Sequence, residues 1–267
     1  MRSTAYGTKG PGKTGYDVLD DFRQAFIVMR NEITKYARGK KLIIFAALTA
    51  LILAVVTAAL TIWGDGLGDN SNNLSYLYIM IMSLLVLVAI TLFASTALVS
   101  EFEERTALIL FTKPIRKWSI FLGKFLASLI VTVGFVLIYY AVVIILCLIG
   151  PGYVDGAIFV SLGLSVCYTF GCAGIGFLIS SVMKKSSTSS ILTFSTLALL
   201  LNMVLSVIMI ATHIEDPWFV LTYAANDILY VLDPMQTAHA ARAAAVMIVW
   251  GVASALVSYF LFRKRDF

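Results

Sequence analysis

The sequence predicts an all-α membrane protein with six transmembrane helices, and three observations lead there. Hydrophobic residues make up 60% of the 267 positions and charged residues only 13%, where soluble domains carry about a quarter charged. The mean hydropathy is +0.92. The apolar residues gather into six runs, each long enough, at about 1.5 Å per residue, to cross about 30 Å of hydrocarbon. Finally, when those runs are taken as crossings, 19 of the 20 Lys and Arg fall on one side. Little of the chain is left for a soluble domain.

Residues 1–15 are rich in Gly, Lys, Ser and Thr and read as a flexible tail. They contain a formal phosphate-loop match, Gly7 followed after four residues by Gly12-Lys13-Thr14. A working loop of that kind follows a buried strand that aims its amides. Met1 to Tyr6 are not such a strand, so the match reads as coincidence. Residues 1–41 hold no apolar core of the signal-peptide type. The first span is therefore expected to act as the insertion signal.

Tyr16 to Lys41 predicts an amphipathic helix. Leu19, Phe22, Phe26, Met29, Ile33 and Tyr36 recur at steps of three and four and share a face. Asp17, Asp20 and Asp21 open it and Lys35, Arg38, Lys40 and Lys41 close it, which suits the helix dipole. It is too polar to span, so it is expected in the membrane interface with its apolar face down. Packing on a soluble partner is the alternative.

The spans are expected at Leu42 to Trp63, Leu74 to Val99, Phe125 to Ile149, Ala157 to Val182, Ile191 to Ala211 and Arg242 to Phe262. The domain division that follows is 1–15, 16–41 and a membrane unit over 42–267. In the fourth span, Gly163, Cys167, Gly171 and Gly174 make a small-residue stripe that lets helices approach closely. Asn202 is the one strongly polar group of the fifth span, expected to bond to a neighbouring helix or, less plausibly, to line a path. Cys147, Cys167 and Cys172 lie in spans and read as packing residues.

Thr212 to Ala241 is too interrupted to span and too apolar for a free loop. Pro217 and Pro234 break it, and it carries Trp218, Phe219, Tyr223, Tyr230, Glu215, Asp216, Asp227 and Asp233. Two short re-entrant helices on the outer side are expected, with aromatic residues at the interface. His213 and His239 have no spaced partners and read as structural, so no metal site is expected.

Positive residues stay cytoplasmic. Both termini and the stretch Glu101 to Lys124 are thus expected in the cytoplasm of a multi-pass cell-membrane protein. The basic balance points to anionic lipid and not to nucleic acid.

Glu101 to Lys124 is the longest charged interruption between spans. Pro114 splits it into two helix-like halves, because it lacks an N–H and disfavours helix at Lys113. Acids lead to an apolar tip of Ala107, Leu108, Ile109, Leu110 and Phe111. A clustered apolar tip leaving a membrane invites a protein partner; an amphipathic loop lying on lipid is the plainer alternative.

In Glu101, Glu103, Glu104, Thr106, Leu108, Leu110, Pro114, Arg116, Gly123 and Lys124 this stretch resembles the ABC-2 family of ABC-transporter permeases. Arg105 departs from the family, which usually has Gly there. The Asp233-Pro234 pair also resembles the Asn-Pro that some members carry. The resemblance implies a cytoplasmic coupling helix between spans 2 and 3, an elbow-like helix before span 1 and re-entrant helices between spans 5 and 6. It implies a separate cytoplasmic ABC ATPase that holds ATP and Mg²⁺, no cofactor in this chain, and a second permease subunit, identical or paralogous. Leu108, Leu110 and Phe111 would fill the ATPase's groove, with Glu101, Glu104, Arg105 and Arg116 orienting it. Export is the implied direction.

The span centres carry no Asp, Glu, Lys or Arg, whereas ion-coupled carriers need such groups. Energy is thus expected from outside the chain, and the function read here is an ABC permease subunit without its own catalytic site. An ATP-independent scaffold, assembly factor or channel fits the bare topology. An intramembrane enzyme fits poorly, since no paired-His helix or nucleophile with a base in reach is present.

Overall fold

Inside a bilayer every backbone polar group needs a partner within the protein, so an apolar chain without barrel patterning folds as helices. The computed structural model describes residues 18–63, 66–68, 70–103, 116–212 and 216–264, with side chains from Asp21 onward. Its elements run α1 (Val18–Arg38), α2 (Lys40–Trp63), α3 (Ser71–Phe93), α4 (Val99–Glu103), α5 (Lys117–Ile149) and α6 (Ala157–Val182). They continue as α7 (Ser186–Ser195), a π-helical turn (Thr196–Leu200), α8 (Leu201–Thr212), α9 (Leu221–Ala224), α10 (Asp227–Tyr230) and α11 (Ala240–Lys264). Among the described residues there is no strand. Six segments are long and apolar enough to cross a membrane, namely α2, α3, α5, α6, the run from Ser186 to Ala211, and α11.

Lipid tails are as apolar as leucine, so close packing must hold such helices together. α3 and α6 form the centre, with 56% and 61% of their apolar windows buried, against 6% for α2 and for the run from Ser186. α6 meets α11 at backbone distance. A Cβ added at Gly174 would lie 2.6 Å from the Gly251 carbonyl oxygen, and one at Gly171 would lie 3.0 Å from that of Met247. Gly251 itself sits against the Phe170 ring. The predicted stripe is only half used, because a Cβ at Gly163 would meet nothing within 4 Å.

The second span is not one helix to Val99. α3 stops at Phe93, a turn follows, and α4 starts at Val99. Hydroxyls explain the break. Ser95 Oγ donates to the Thr91 carbonyl at 2.6 Å and Thr96 Oγ1 to that of Leu92 at 2.8 Å. Such back-bonding competes with the helical ladder. The groups set free are then met from neighbours. Ser180 Oγ of α6 accepts from the Leu98 and Val99 amides at 3.2 Å each, and Ser189 Oγ of α7 donates to the Ser95 carbonyl at 2.6 Å.

Two further expectations are corrected. The third helix begins at Lys117, not Phe125, so its first turns extend the span toward the basic end. Asn202 Nδ2 donates to the Ala198 carbonyl of its own helix at 2.9 Å and stays exposed, because the run that carries it lies on the outside of the bundle.

Between α8 and α11, Val220, Leu221, Ala224, Ile228 and Leu232 are buried. Ser161 Oγ of α6 donates to the Ile228 carbonyl at 2.7 Å, and Trp250 Nε1 of α11 donates to that of Phe219 at 2.8 Å. Arg242 grips Asp216 through both guanidinium nitrogens, at 2.8 and 3.2 Å. These bonds seat α9 and α10 on the end of the bundle opposite α1.

The glycine contact yields a direct test. Gly174→Leu should destabilise the detergent-solubilised protein by about 1–3 kcal/mol through overpacking. Gly163→Leu should leave thermal unfolding unchanged, as followed by loss of the monodisperse chromatographic peak on heating.

Candidate coupling site at the basic end of the bundle

An ammonium taken out of water costs several kcal/mol unless it is paired and hydrogen-bonded. Lys124 is 1% exposed. Its Nζ donates to Glu32 Oε1 at 2.6 Å and to Glu101 Oε1 at 2.8 Å. One buried cation therefore joins α1, α4 and α5. Lys35 Nζ stands 3.9 Å from the same Glu101 oxygen. Burial, followed by the Glu32 and Glu101 carboxylates, raises the neighbouring Tyr36 hydroxyl above its ordinary range. That hydroxyl stays neutral and donates to the Phe93 carbonyl at 3.3 Å.

The start of α5 is braced along its length. Arg116 Nη1 donates to Asp21 Oδ2 at 2.6 Å, and Ser119 Oγ donates to the Asp21 carbonyl at 3.1 Å. At Gly123 the helices nearly touch, since a Cβ there would lie 2.6 Å from the Ala25 carbonyl oxygen. Lys117 Nζ donates to the Arg263 carbonyl at 3.3 Å, a cation meeting the last turn of α11. Trp118 and Phe121 pack edge-on against Tyr259 at 5.0 and 5.6 Å.

α1 meets α5 through Asp21, Ala25, Val28 and Glu32, a face different from the apolar one read in the sequence. Phe22 and Phe26, at 56% and 61% exposed, point away from the bundle, and Met29 and Ile33 are half-buried. The side chain of Leu19 lies outside the described residues. The reason for the offset is chemical: α5 presents Gly123, Ser119 and Lys124, which call for a small residue, a carbonyl and a carboxylate, not for aromatic rings.

α4 makes a second bracket. Glu103 Oε2 accepts from the Ser186 amide at 2.9 Å, at the N-terminus of α7. Hydrogen bonding from Ser186 holds the Glu103 carboxyl below its ordinary range. The chain between the brackets, 104–115, lies outside the described residues. With it lie the expected contact residues Glu104, Arg105, Thr106, Leu108, Leu110, Phe111 and Pro114, as do Gly7 to Thr14, Asp17, His213, Glu215 and Arg265. Glu101 and Arg116, expected to orient a partner by charge, form ion pairs within the chain. Glu32 is the residue that sequence reading missed as part of this group. It is one polar position on a helix judged by its apolar periodicity, and no local pattern ties it to Lys124.

At the other end, Trp218 is 49% exposed and edge-on to Phe219 at 6.2 Å. Tyr223 is half-buried, and burial, then a hydrogen bond to Asp216, raises its hydroxyl. Asp233 Oδ1 accepts from the Met235 amide at 2.9 Å and so closes a turn over the exposed Pro234.

These features define a six-span helical membrane protein whose second and third spans are tied at one end by ion pairs to α1. The chain belongs to the ABC-2 transporter family: the profile described as ABC-2 family transporter protein matches residues 26–267. It is a permease-type membrane subunit of the ABC class. No curated protein matches the chain.

Two tests address the brackets. Lys124→Met leaves two carboxylates facing an apolar group and should cost about 3–5 kcal/mol of thermal stability. The triple variant with Glu32→Gln and Glu101→Gln should recover part of that loss. The Glu103 contact should be acid-sensitive. Its folded pKa lies below the unfolded value, so its contribution is present above the ordinary carboxylate range and fades as pH falls through the folded value. Hydrogen exchange at the Ser186 amide should show protection lost as pH falls below the ordinary carboxylate range, and Glu103→Gln should remove that pH dependence.

Proposed function

We propose that this protein is the permease subunit of an ATP-driven exporter, energised by a separate cytoplasmic ABC ATPase through residues 101–124. The observation that carries the reading is the double hold on that stretch. Its leading end is tied by Glu101 to Lys124 at 2.8 Å and its returning end by Arg116 to Asp21 at 2.6 Å. Force applied to the apolar tip at Leu108, Leu110 and Phe111 then acts on α1, α4 and α5 together, not on a slack loop. The same end carries nearly all of the basic residues, which supports a cytoplasmic placement for it and for both termini.

ATP and Mg²⁺ would bind the ATPase, whose dimerisation supplies the stroke. α1 would lie at the membrane interface as an elbow, with Phe22 and Phe26 toward lipid or the ATPase. α9 and α10, with Trp218, Tyr223 and the Asp233-Pro234 turn, would form the outer re-entrant segment through which cargo leaves. A second permease subunit would complete the pathway. The sparse burial of α2 and of the run from Ser186 supports this, since both leave long apolar faces for a neighbour or lipid.

Substitution of Leu110→Asp together with Phe111→Asp should abolish co-purification of the ATPase, while the permease remains in the membrane with unchanged thermal stability. Retained ATPase binding, or labelling of Phe111→Cys only from the external side, would overturn the assignment.

A further inference from the structure

The joint between α1 and α2 opens beside a cleft of about 280 Å³. Gly39 makes the joint, its amide donating to the Tyr36 carbonyl at 3.0 Å before α2 begins at Lys40. Lys35, Lys40 and Lys41 line it with Glu32, as do Thr96 from the break between α3 and α4 and Ser100 of α4. Three lysines and one acid thus border the cleft; the Glu32 carboxylate already accepts from the buried Lys124 at 2.6 Å, and Lys35 Nζ stands 3.9 Å from Glu101. Ser100 adds a hydroxyl donor, whereas the Thr96 hydroxyl is turned to the Leu92 carbonyl. Several cationic donors converging on one cleft match an acceptor with several anionic oxygens, which a phosphate supplies.

The position says which phosphate. Lys41 is followed at once by the apolar run of α2, so the lysines stand where a span leaves the hydrocarbon. Directly beyond them Ile43, Ile44, Leu48 and Leu51 are 63%, 64%, 40% and 61% exposed. A polar head in the cleft would continue into acyl chains along that face.

We propose that this cleft binds the phosphate of an anionic phospholipid, with Lys40, Lys41 and Lys35 on the headgroup and the exposed face of α2 against its tails. The placement in the cytoplasmic leaflet rests on the orientation proposed above; the binding itself does not. Lys35 faces both the cleft and Glu101. Lipid occupancy is thereby tied to the braced root of α5, which gives anionic lipid a route to influence coupling.

The test uses the purified full chain in nanodiscs of mixed phosphatidylglycerol and phosphatidylcholine, with no ATPase present. Release into detergent and native mass spectrometry then read the retained lipid. Wild type should retain phosphatidylglycerol preferentially, and Lys40→Ala with Lys41→Ala should lower that retention by about tenfold to thirtyfold. The pair Arg263→Ala and Lys264→Ala, at the same end but off the cleft, should change it less than about twofold. Unchanged chromatographic and thermal behaviour of each variant shows that the fold is kept, and Lys40→Arg with Lys41→Arg should restore retention. Equal loss in both alanine pairs would reduce the effect to diffuse surface charge and overturn the site. Displacement of the lipid by excess inorganic phosphate, with no preference among lipids, would overturn the lipid assignment in favour of free phosphate. Since no ATPase takes part, failure here is distinct from failure of the coupling assignment.

Discussion

Lys124 carries its charge where almost no water reaches it, and two carboxylates from separate elements make that tolerable. Removing either carboxylate would weaken a contact that joins α1, the end of the second span and the root of the third. Buried pairs of this kind seldom add stability over an apolar replacement, but breaking one is costly, so they act as position markers. Here the marker holds α4 and the first turns of α5 against α1. The Gly123 contact with Ala25 and the Arg116 pair with Asp21 repeat the same restraint at the preceding residue of α5 and about two turns earlier, at its N-cap. Three contacts along one face hold α1 against the first turns of α5.

The rest of the bundle is joined to that root by direct contacts. α5 runs for 33 residues without interruption from the basic end to Ile149. Its first turns touch α11 through Lys117, Trp118 and Phe121, and α11 meets α6 at glycine backbone distance. The second span is broken where the fifth begins, and the break is stitched by Ser180 and Ser189. Hydroxyls serve well at such a place, because each meets a stranded backbone group without bringing charge into the membrane. At the far end, Tyr140 shares hydrogen bonds with Ser161 and Ser165, and Ser161 reaches the Ile228 carbonyl. The segment between α8 and α11 is therefore fastened to the central helix α6, not suspended between spans.

Hydropathy and length were enough to read the six spans, because crossing a bilayer is a one-dimensional requirement that each run meets alone. The fourth span agrees with the structure at both ends, since Pro151 to Gly156 before it and Met183 to Lys185 after it are strong local stops. The second and third spans do not. Ser95 and Thr96 are mild polar residues in an apolar run, and their effect depends on Ser180 and Ser189 being close. Charge separates Lys117 to Lys124 from the third span, yet the two form one helix, because Glu32 and Glu101 partner Lys124 and the Arg263 carbonyl partners Lys117. Periodicity in α1 marks its aromatic face and is silent on the opposite one, through which the helix meets α5. Aromatic rings at regular spacing dominate the pattern, whereas the helix packs through alanine, valine and two acids.

By itself the sequence determined the class of protein, the number of crossings and the resemblance of 101–124 to an ABC-2 permease. Each of these follows from composition, run length or a contiguous motif, and none needs a contact between distant residues. Only the tertiary structure decided that Lys124 is buried, that Glu32 and Glu101 share it, and that a basic cleft opens at the elbow. Those depend on side chains separated by 92 and 23 positions meeting at less than 3 Å. Such meetings come from helix packing, whose geometry no local pattern encodes.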